Sequence, residues 1–236
     1  MTTDPGFLQR VAWFLNLAEN DSGKKETDYA AVYRYFDGHQ QRRQVTLGRG
    51  FTEDGGNLRK VVDAYLADGG QSTVLRDRVG QIGKGTLVGD RAFIQALQAA
   101  GQEPAMRAAQ DAVFQAAYLD PALRWAAAAG LREPTSVAVV VDSFLHSGRM
   151  PGWLMDRFTE RTPANGGTEK RWVFAYLVER WKWFRRARGP LHTCVFRPKF
   201  FLSLVANYTG GGWSLNAQGN WGFAAPLNLP EKGPLC

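Results

Sequence analysis

The sequence predicts an α+β protein that is predominantly helical and contains one small β hairpin. Apolar residues recur at helical spacing in most segments between residues 5 and 207, which is typical of amphipathic helices. Residues 44–52 instead combine β-branched side chains with glycines, a pattern that favours a short, irregular hairpin. The length of 236 residues suffices for one large domain or for two lobes around a cleft.

Two helices are predicted before the hairpin. The first covers residues 5–18, where Asp4-Pro5 is an N-terminal capping signal. The second surrounds residues 29–36, where apolar and aromatic side chains share one helical face. Their apolar positions are Phe7, Val11, Phe14 and Leu15 in the first, and Tyr29, Val32, Tyr33 and Phe36 in the second.

Helices also dominate the chain after the hairpin. Asn57 caps a helix whose apolar stripe begins at Leu58. Residues 69–89 are predicted to form a loop or a short helix, and residues 147–167 a long connection. The remaining helices are predicted at about 90–100, 103–118, 121–130, 135–146, 168–185 and 197–207.

Charge and composition limit the classes of partner. The net charge is +7 and the pI about 9.6, so anionic partners are favoured over cationic ones; solubility alone is the plain alternative. Cys194 and Cys236 have no metal-ligand spacing, and although a bridge between them is conceivable, two free thiols are predicted. The chain begins without a secretory signal and has no membrane-spanning run. We therefore expect synthesis in the cytoplasm.

Three places in the N-terminal third carry carboxylates in a pattern suited to glycoside hydrolysis. That reaction usually needs one protonated carboxyl group as the acid and a second carboxylate as base or nucleophile. Glu19 ends an apolar helix, so burial would raise its pKa, and Asp37 lies 37 − 19 = 18 residues later. Glu53 and Asp54 follow the hairpin. The alternative is that Glu19 is a solvated surface residue and that Asp37-Gly38 is only a turn.

Several short motifs in the same order resemble those of family 46 chitosanases and of the related muramidase domains of bacterial cell-wall-lysing proteins. The motifs are Ala18-Glu19-Asn20, Tyr29, Asp37-Gly38, Gly48-Arg49-Gly50-Phe51-Thr52, Gly56-Asn57-Leu58 and Phe114 to Ala122. The resemblance covers about residues 5–150 and is weaker over 168–207. It implies a lysozyme-like, two-lobed catalytic domain spanning residues 1–236.

The same resemblance implies roles for individual residues. Glu19 would be the catalytic acid, and Thr52 would position the attacking water. Tyr29, Arg49 and Asn57 would bind substrate. The second carboxylate is open, because Leu47 stands where the family motif has its aspartate. Spacing from Glu19 favours Asp37, whereas Glu53 or Asp54 would substitute if the motif alignment is right.

Substrate predictions rest on Asn57 and on charge. The family's aspartate at this position is implied to bind the free amine of chitosan, whereas Asn57 is neutral and suits an N-acetyl group; a simple N-cap is the alternative. We therefore expect a muramidase-like hydrolase of peptidoglycan or a related amino-sugar polymer, acting as a phage lysin or antibacterial effector after delivery or lysis. An immunity or delivery partner is compatible with this expectation. The alternatives are a chitosanase and a non-catalytic carbohydrate- or nucleic-acid-binding protein on the same fold.

Other sites are not expected. His39, His146 and His192 are scattered, so no metal site and no cofactor are predicted. The run Trp181-Lys182-Trp183-Phe184-Arg185-Arg186 mixes bases and aromatics, as some nucleic-acid surfaces do. It is interpreted here as the end of an amphipathic helix, and no nucleic-acid partner is expected.

Overall fold

A computed structural model of the chain describes residues 5–19, 27–36, 42–188 and 190–207, without the side chains of residues 13, 16–19, 190, 206 and 207. Its architecture is mostly helical with a small antiparallel sheet, which confirms the predicted fold class. The elements are α1 (Pro5–Glu19), β1 (Val32–Tyr35), β2 (Gln44–Leu47), β3 (Phe51–Thr52), α2 (Leu58–Ala67), α3 (Thr73–Arg78), α4 (Arg91–Ala100), α5 (Pro104–Phe114), α6 (Asp120–Ala128), α7 (Pro134–Ser147), α8 (Gly152–Met155), α9 (Glu169–Arg186), α10 (Pro190–Thr193) and α11 (Phe196–Asn207).

The sheet corrects one prediction. Its strand order is β1-β2-β3, with antiparallel pairing that sets Val32 opposite Leu47 and Leu47 opposite Phe51. Residues 32–35 therefore form a strand, not the predicted second helix. Their sequence Val-Tyr-Arg-Tyr is compatible with the spacing of a helix and with the alternation of a strand. Its β-branched and aromatic side chains favour a strand once a partner strand is available.

One predicted connection contains more helix than expected, and α5 ends differently from an ordinary helix. Residues 147–167 include α8, whereas α3 in residues 69–89 is the short helix that was one of the two predicted alternatives. The helix predicted over 103–118 is α5 followed by a π-helical turn, Gln115–Leu119. Cys194 is disulfide-bonded, so the free thiol predicted there is wrong.

The chain divides into two compact units, each with its own core. The first consists of the described parts of Met1–Gly23, Ala126–Val140 and Pro151–Cys236. In it α11 packs against α9 and α1. Buried side chains include Phe14, Tyr176, Phe184 and Phe201, so Phe184 of the basic and aromatic run is a core residue. The predicted cleft between lobes stays a prediction.

The second unit contains the sheet and the helices that follow it. It consists of the described parts of Lys24–Trp125 and Val141–Met150. In it α2 packs against α5, and α3 against α4. Leu47, Phe51, Leu58, Tyr65 and Phe93 are fully buried, so the sheet and the start of α2 are anchored in one apolar core.

Candidate active site

The predicted acid lies at the end of α1. That helix is described through Glu19, and its inner face buries Phe7, Val11 and Phe14, as the apolar spacing predicted. The side chain of Glu19 and all of Asp37 are outside the described residues. The catalytic roles of these two carboxylates therefore stay predictions.

Thr52 is held at the end of the hairpin. It closes β3 opposite Thr46 of β2 and is partly exposed, whereas Thr46 is buried. A Cβ on Gly56 would lie 1.8 Å from Thr52 Oγ1, so only glycine lets the following loop approach this hydroxyl so closely. Because Thr46 and Thr52 lie directly opposite each other in the antiparallel pair, their side chains stand on the same face of the sheet. Within the described part of the chain, the Oγ1 of Thr46 has no hydrogen-bond partner.

Glu53 and Asp54 both have partners within the fold. Oε2 of Glu53 accepts from the backbone N–H of Val45 at 2.9 Å, and Oε1 accepts from that of Gly83 at 3.3 Å. Asp54 accepts two hydrogen bonds from Arg42, at 2.5 and 3.1 Å. These contacts fix the loop after β3, and which residue is the second carboxylate stays a prediction.

Asn57 stands at the N-cap position of α2 but does not cap it. Its side chain makes no capping hydrogen bond; instead Nδ2 donates to Tyr118 Oη at 2.9 Å. Tyr118 lies in the π-helical turn, and its ring packs against Phe51 and Phe114 with centroids 6.2 and 5.9 Å apart. The amide of Asn57 is thus held by a buried aromatic cluster, and the simple N-cap interpretation does not account for its side chain.

Tyr29 and Arg49 meet at Asp111 of α5. Tyr29 Oη donates to both carboxylate oxygens of Asp111, at 2.9 and 3.0 Å. Arg49 Nη1 donates to Oδ1 at 3.0 Å. Burial of the phenol, together with the hydrogen bond to Asp111 and the charge of that carboxylate, raises the pKa of Tyr29 above its ordinary value.

The structure therefore connects the three predicted substrate-binding residues through one helix and its extension. The guanidinium carbon of Arg49 lies 3.9 Å from the ring centroid of Phe114, which in turn packs against the Asn57 partner Tyr118. Asp111, Phe114 and Tyr118 are hereafter the α5 cluster. Phe114 and Tyr118 belong to a family motif that gave them no role, and Asp111 belongs to none of the motifs. The contacts of Tyr118 and Asp111 with the predicted site join residues 61 to 82 positions apart, so no local pattern could reveal them.

Metal binding and membrane crossing can be judged for the part of the chain that the structure describes. There, no three His, Cys, Asp or Glu side chains approach each other closely enough to hold a metal ion. Every helix in this part is too short or too polar to cross a bilayer.

Solved structures show the same fold. The native chitosanase of Bacillus subtilis MY002 matches with a TM-score of 0.74 at 23% identity, over 87% of this chain and 90% of that one. The family 46 chitosanase of Gynuella sunshinyii, solved with chitotetraose, matches with a TM-score of 0.73 at 22% identity, over 87% and 90%. Identity this low establishes the fold alone. No curated protein matches the chain.

The sequence match establishes the class. The family described as glycosyl hydrolase family 46 matches residues 14–193, a range that contains Glu19, Asp37, Thr52 and the α5 cluster. The protein is thus a glycoside hydrolase with a lysozyme-like fold, as predicted. In particular, the chain belongs to glycosyl hydrolase family 46.

Proposed function

We propose that the protein hydrolyses the glycan strands of peptidoglycan, an amino-sugar polymer rich in N-acetyl groups. The observation that carries this proposal is the hydrogen bond from Asn57 to Tyr118, 2.9 Å long. Since Nδ2 is used by Tyr118, Oδ1 remains as a neutral acceptor at the place where the family motif has an aspartate. A neutral acceptor can receive the N–H of an acetamide, whereas an ammonium group would lose the ionic partner that a carboxylate offers.

In the proposed reaction, Glu19, Asp37 and Thr52 carry out proton transfer and orient the attacking water. Glu19, protonated, gives its proton to the glycosidic oxygen as the bond from that oxygen to the anomeric carbon breaks. Asp37 takes a proton from a water whose oxygen attacks the anomeric carbon from the opposite face. Thr52 orients that water through its hydroxyl. The products are two shorter chains, with inversion at the cleaved carbon.

The charge of the chain supports the same substrate. A net charge of +7 attracts a polymer whose peptide stems carry carboxylates and repels a polycation. Such a substrate would place the protein at the cell wall when it acts. Long-range attraction does not select the bond that is cleaved, so the Asn57 contact remains the specific argument.

Chitosan is the second candidate substrate, and a specific observation favours it. Solved structures with the same fold include chitosanases, one with chitotetraose and one, a mutant of the Bacillus subtilis enzyme, with six glucosamine units. The two candidates differ in the group at carbon 2 of the sugar, acetamide in one and amine in the other.

Parallel digestion of two substrates tests the proposal. The purified protein is incubated with bacterial sacculi and with highly deacetylated chitosan, and the soluble fragments are analysed by mass spectrometry. We expect muropeptides with hydrated reducing ends from sacculi and little release from chitosan. The Glu19→Gln variant should lower release by about 10²–10⁴-fold, because general acid catalysis contributes about that much. Faster cleavage of chitosan than of sacculi would establish the second candidate instead.

The Asn57→Asp variant isolates the contact that carries the argument. A carboxylate at this position would bind a glucosamine ammonium more strongly, since hydrogen bonds to charged groups exceed neutral ones by about 1 kcal/mol, or about fivefold. We expect the ratio of kcat/KM on chitosan to that on acetylated glycan to rise by about that factor. A ratio equal to that of the unaltered protein would refute the assignment of Asn57 as the residue that selects the acetamide.

A further inference from the structure

Asp111 lies at the centre of the predicted substrate-binding residues, although neither sequence motif nor catalytic chemistry points to it. Its side chain is half-exposed on α5, yet it receives hydrogen bonds from both Tyr29 and Arg49. A carboxylate on a helix surface more often makes a single ion pair with a nearby residue of the same helix. Here both partners come from distant segments, 82 and 62 positions away.

Arg49 depends on α5 for its orientation. It lies in the hairpin turn between Gly48 and Gly50, both with positive φ, and its side chain leaves the turn to lie on the ring of Phe114. The ring fixes the plane of the guanidinium, and Asp111 fixes its rotation through Nη1. No other hydrogen bond joins this guanidinium to the described residues, so its other N–H groups remain available to a ligand.

Tyr29 is oriented by the same carboxylate. Its hydroxyl donates to Asp111, which leaves the oxygen lone pairs as acceptors for a sugar hydroxyl or amide N–H. The phenol stays protonated to higher pH than an ordinary tyrosine, because burial and Asp111 both disfavour the phenolate. Asp111 therefore sets the hydrogen-bonding character of Tyr29 as well as its position.

Gln110, the buried neighbour of Asp111 in α5, contacts the backbone of Tyr29 and of the hairpin turn. Gln110 is fully buried, and its Nε2 donates to the carbonyl of Tyr29 at 2.8 Å. Its Oε1 packs so tightly against Gly48 that a Cβ there would lie 2.1 Å away. One turn of α5 thus fixes both main chains through Gln110, and Asp111 fixes the side chains that project from them.

We propose that Asp111 is a positioning residue that holds Arg49 and Tyr29 in the orientation in which they bind the amino-sugar chain. The inference rests on the proposed function, because it takes Arg49 and Tyr29 as substrate contacts. Asp111 does not take part in proton transfer in this proposal. Its loss should therefore weaken substrate binding while leaving the chemical step intact.

The kinetic test uses Asp111→Asn and a matched control. Asparagine preserves shape but removes the charge, so we expect KM to rise about three- to tenfold with kcat changed less than twofold. Asp63→Asn serves as control. Asp63 is also half-exposed on a helix and pairs with an arginine, but that arginine, Arg59, lies one turn away in the same helix, so the kinetics of this variant should not change. The substrates are soluble glycan strands from sacculi and chitotetraose. A fall in kcat at constant KM would overturn the positioning role.

A second readout needs no substrate. Ultraviolet titration of the unaltered protein and of Asp111→Asn, each referred to the same background with Tyr29→Phe, reports the ionisation of the Tyr29 phenol. We expect the Tyr29 transition to move to lower pH in Asp111→Asn, since the carboxylate that disfavours the phenolate is removed. An unmoved transition would overturn the inference, because the contact would then be absent in solution.

The combined effect of two substitutions on KM distinguishes this inference from the proposed function. If Asp111 acts through Arg49 and Tyr29, Asp111→Asn should raise KM less in an Arg49→Ala background than in the unaltered protein, and it should leave KM unchanged in a background with both Arg49→Ala and Tyr29→Phe. Additive effects on KM would show that Asp111 acts independently and would overturn the inference. If Arg49→Ala and Tyr29→Phe leave KM unchanged, the substrate contacts themselves are wrong. That failure belongs to the proposed function, and the titration still reports whether the contact with Asp111 exists.

Discussion

At the scale of single residues, a carboxylate is defined by its partners more than by its place in the sequence. Glu53 directly follows the hairpin, where a second catalytic carboxylate would fit the family motif. In the structure its side chain is 8% exposed and joins the backbone of β2 to the loop at Gly83. Asp54 is likewise paired, with Arg42. Both residues therefore have a structural use that explains their presence after the hairpin.

Glu53→Gln tests this assignment. The new amide nitrogen cannot accept a hydrogen bond, so either Val45 or Gly83 loses an acceptor, and we expect the free energy of unfolding to fall by about 1–3 kcal/mol. Urea unfolding measures this change. Specific activity of the folded variant should stay within about twofold of the unaltered protein, unlike that of a variant lacking a general acid or base. Exposed Glu160 provides the control, because Glu160→Gln should leave both quantities unchanged.

A result opposite to this expectation for Glu53→Gln would identify a catalytic role for Glu53. Loss of hydrolysis with unaltered unfolding free energy would make Glu53 the second carboxylate. The motif alignment would then be right, and Asp37 would be a turn residue.

At the scale of elements, the sequence predicted helices well and the first strand poorly. The ranges of α2, α4 and α9 follow from their apolar stripes, and that of α4 also from Asp90, which caps it by accepting from the N–H of Phe93, because such signals act within a few residues. The helix prediction for residues 32–35 was wrong because their aromatic and β-branched side chains fit the spacing of a helix and that of a strand equally well. Their conformation depends on β2, whose paired residues lie 9 to 15 positions away, and on the burial of Leu47 between β1 and β3.

Leu47→Asp tests whether β2 could carry the family's missing aspartate. Leu47 is fully buried in the central strand. A carboxylate there loses apolar burial and its own hydration together, so we expect unfolding to become at least about 3 kcal/mol easier. Thermal unfolding checks this expectation, and Leu47→Ala measures the part due to lost volume alone.

Activity of the same variant decides between the two alignments. In an Asp37→Asn background, Leu47→Asp should not restore hydrolysis, because a side chain at this core position does not reach solvent. Recovered activity in that double variant would show that a carboxylate at position 47 reaches the substrate, as the motif alignment requires.

At the scale of the whole molecule, the candidate site depends on contacts that cross long stretches of chain. The motifs identified Tyr29, Arg49 and Asn57 one by one, but their common support on α5 is visible only in the fold. The reason is physical: the contacts of Asp111 and Tyr118 with these residues are tertiary, and no local period encodes them. Asp111 is an ordinary surface aspartate by sequence, so nothing in the chain marked it before the structure did.

Net charge is the other property of the whole molecule, and it makes a prediction that the local contacts do not. The chain carries 29 basic and 22 acidic residues, so its field attracts anionic glycan and repels protonated chitosan. Raising salt from about 0.1 M to 1 M shortens the Debye length from about 10 Å to 3 Å. We therefore expect KM for soluble peptidoglycan strands to rise with salt and KM for chitosan to fall. A neutral, fully acetylated oligosaccharide provides the control, and its KM should change little.

The preference for acetylated over deacetylated oligosaccharide should persist at 1 M salt, because the contact at Asn57 acts at hydrogen-bond range. If this preference disappeared at high salt, charge alone would distinguish the two polymers, and Asn57 would not contribute to the distinction.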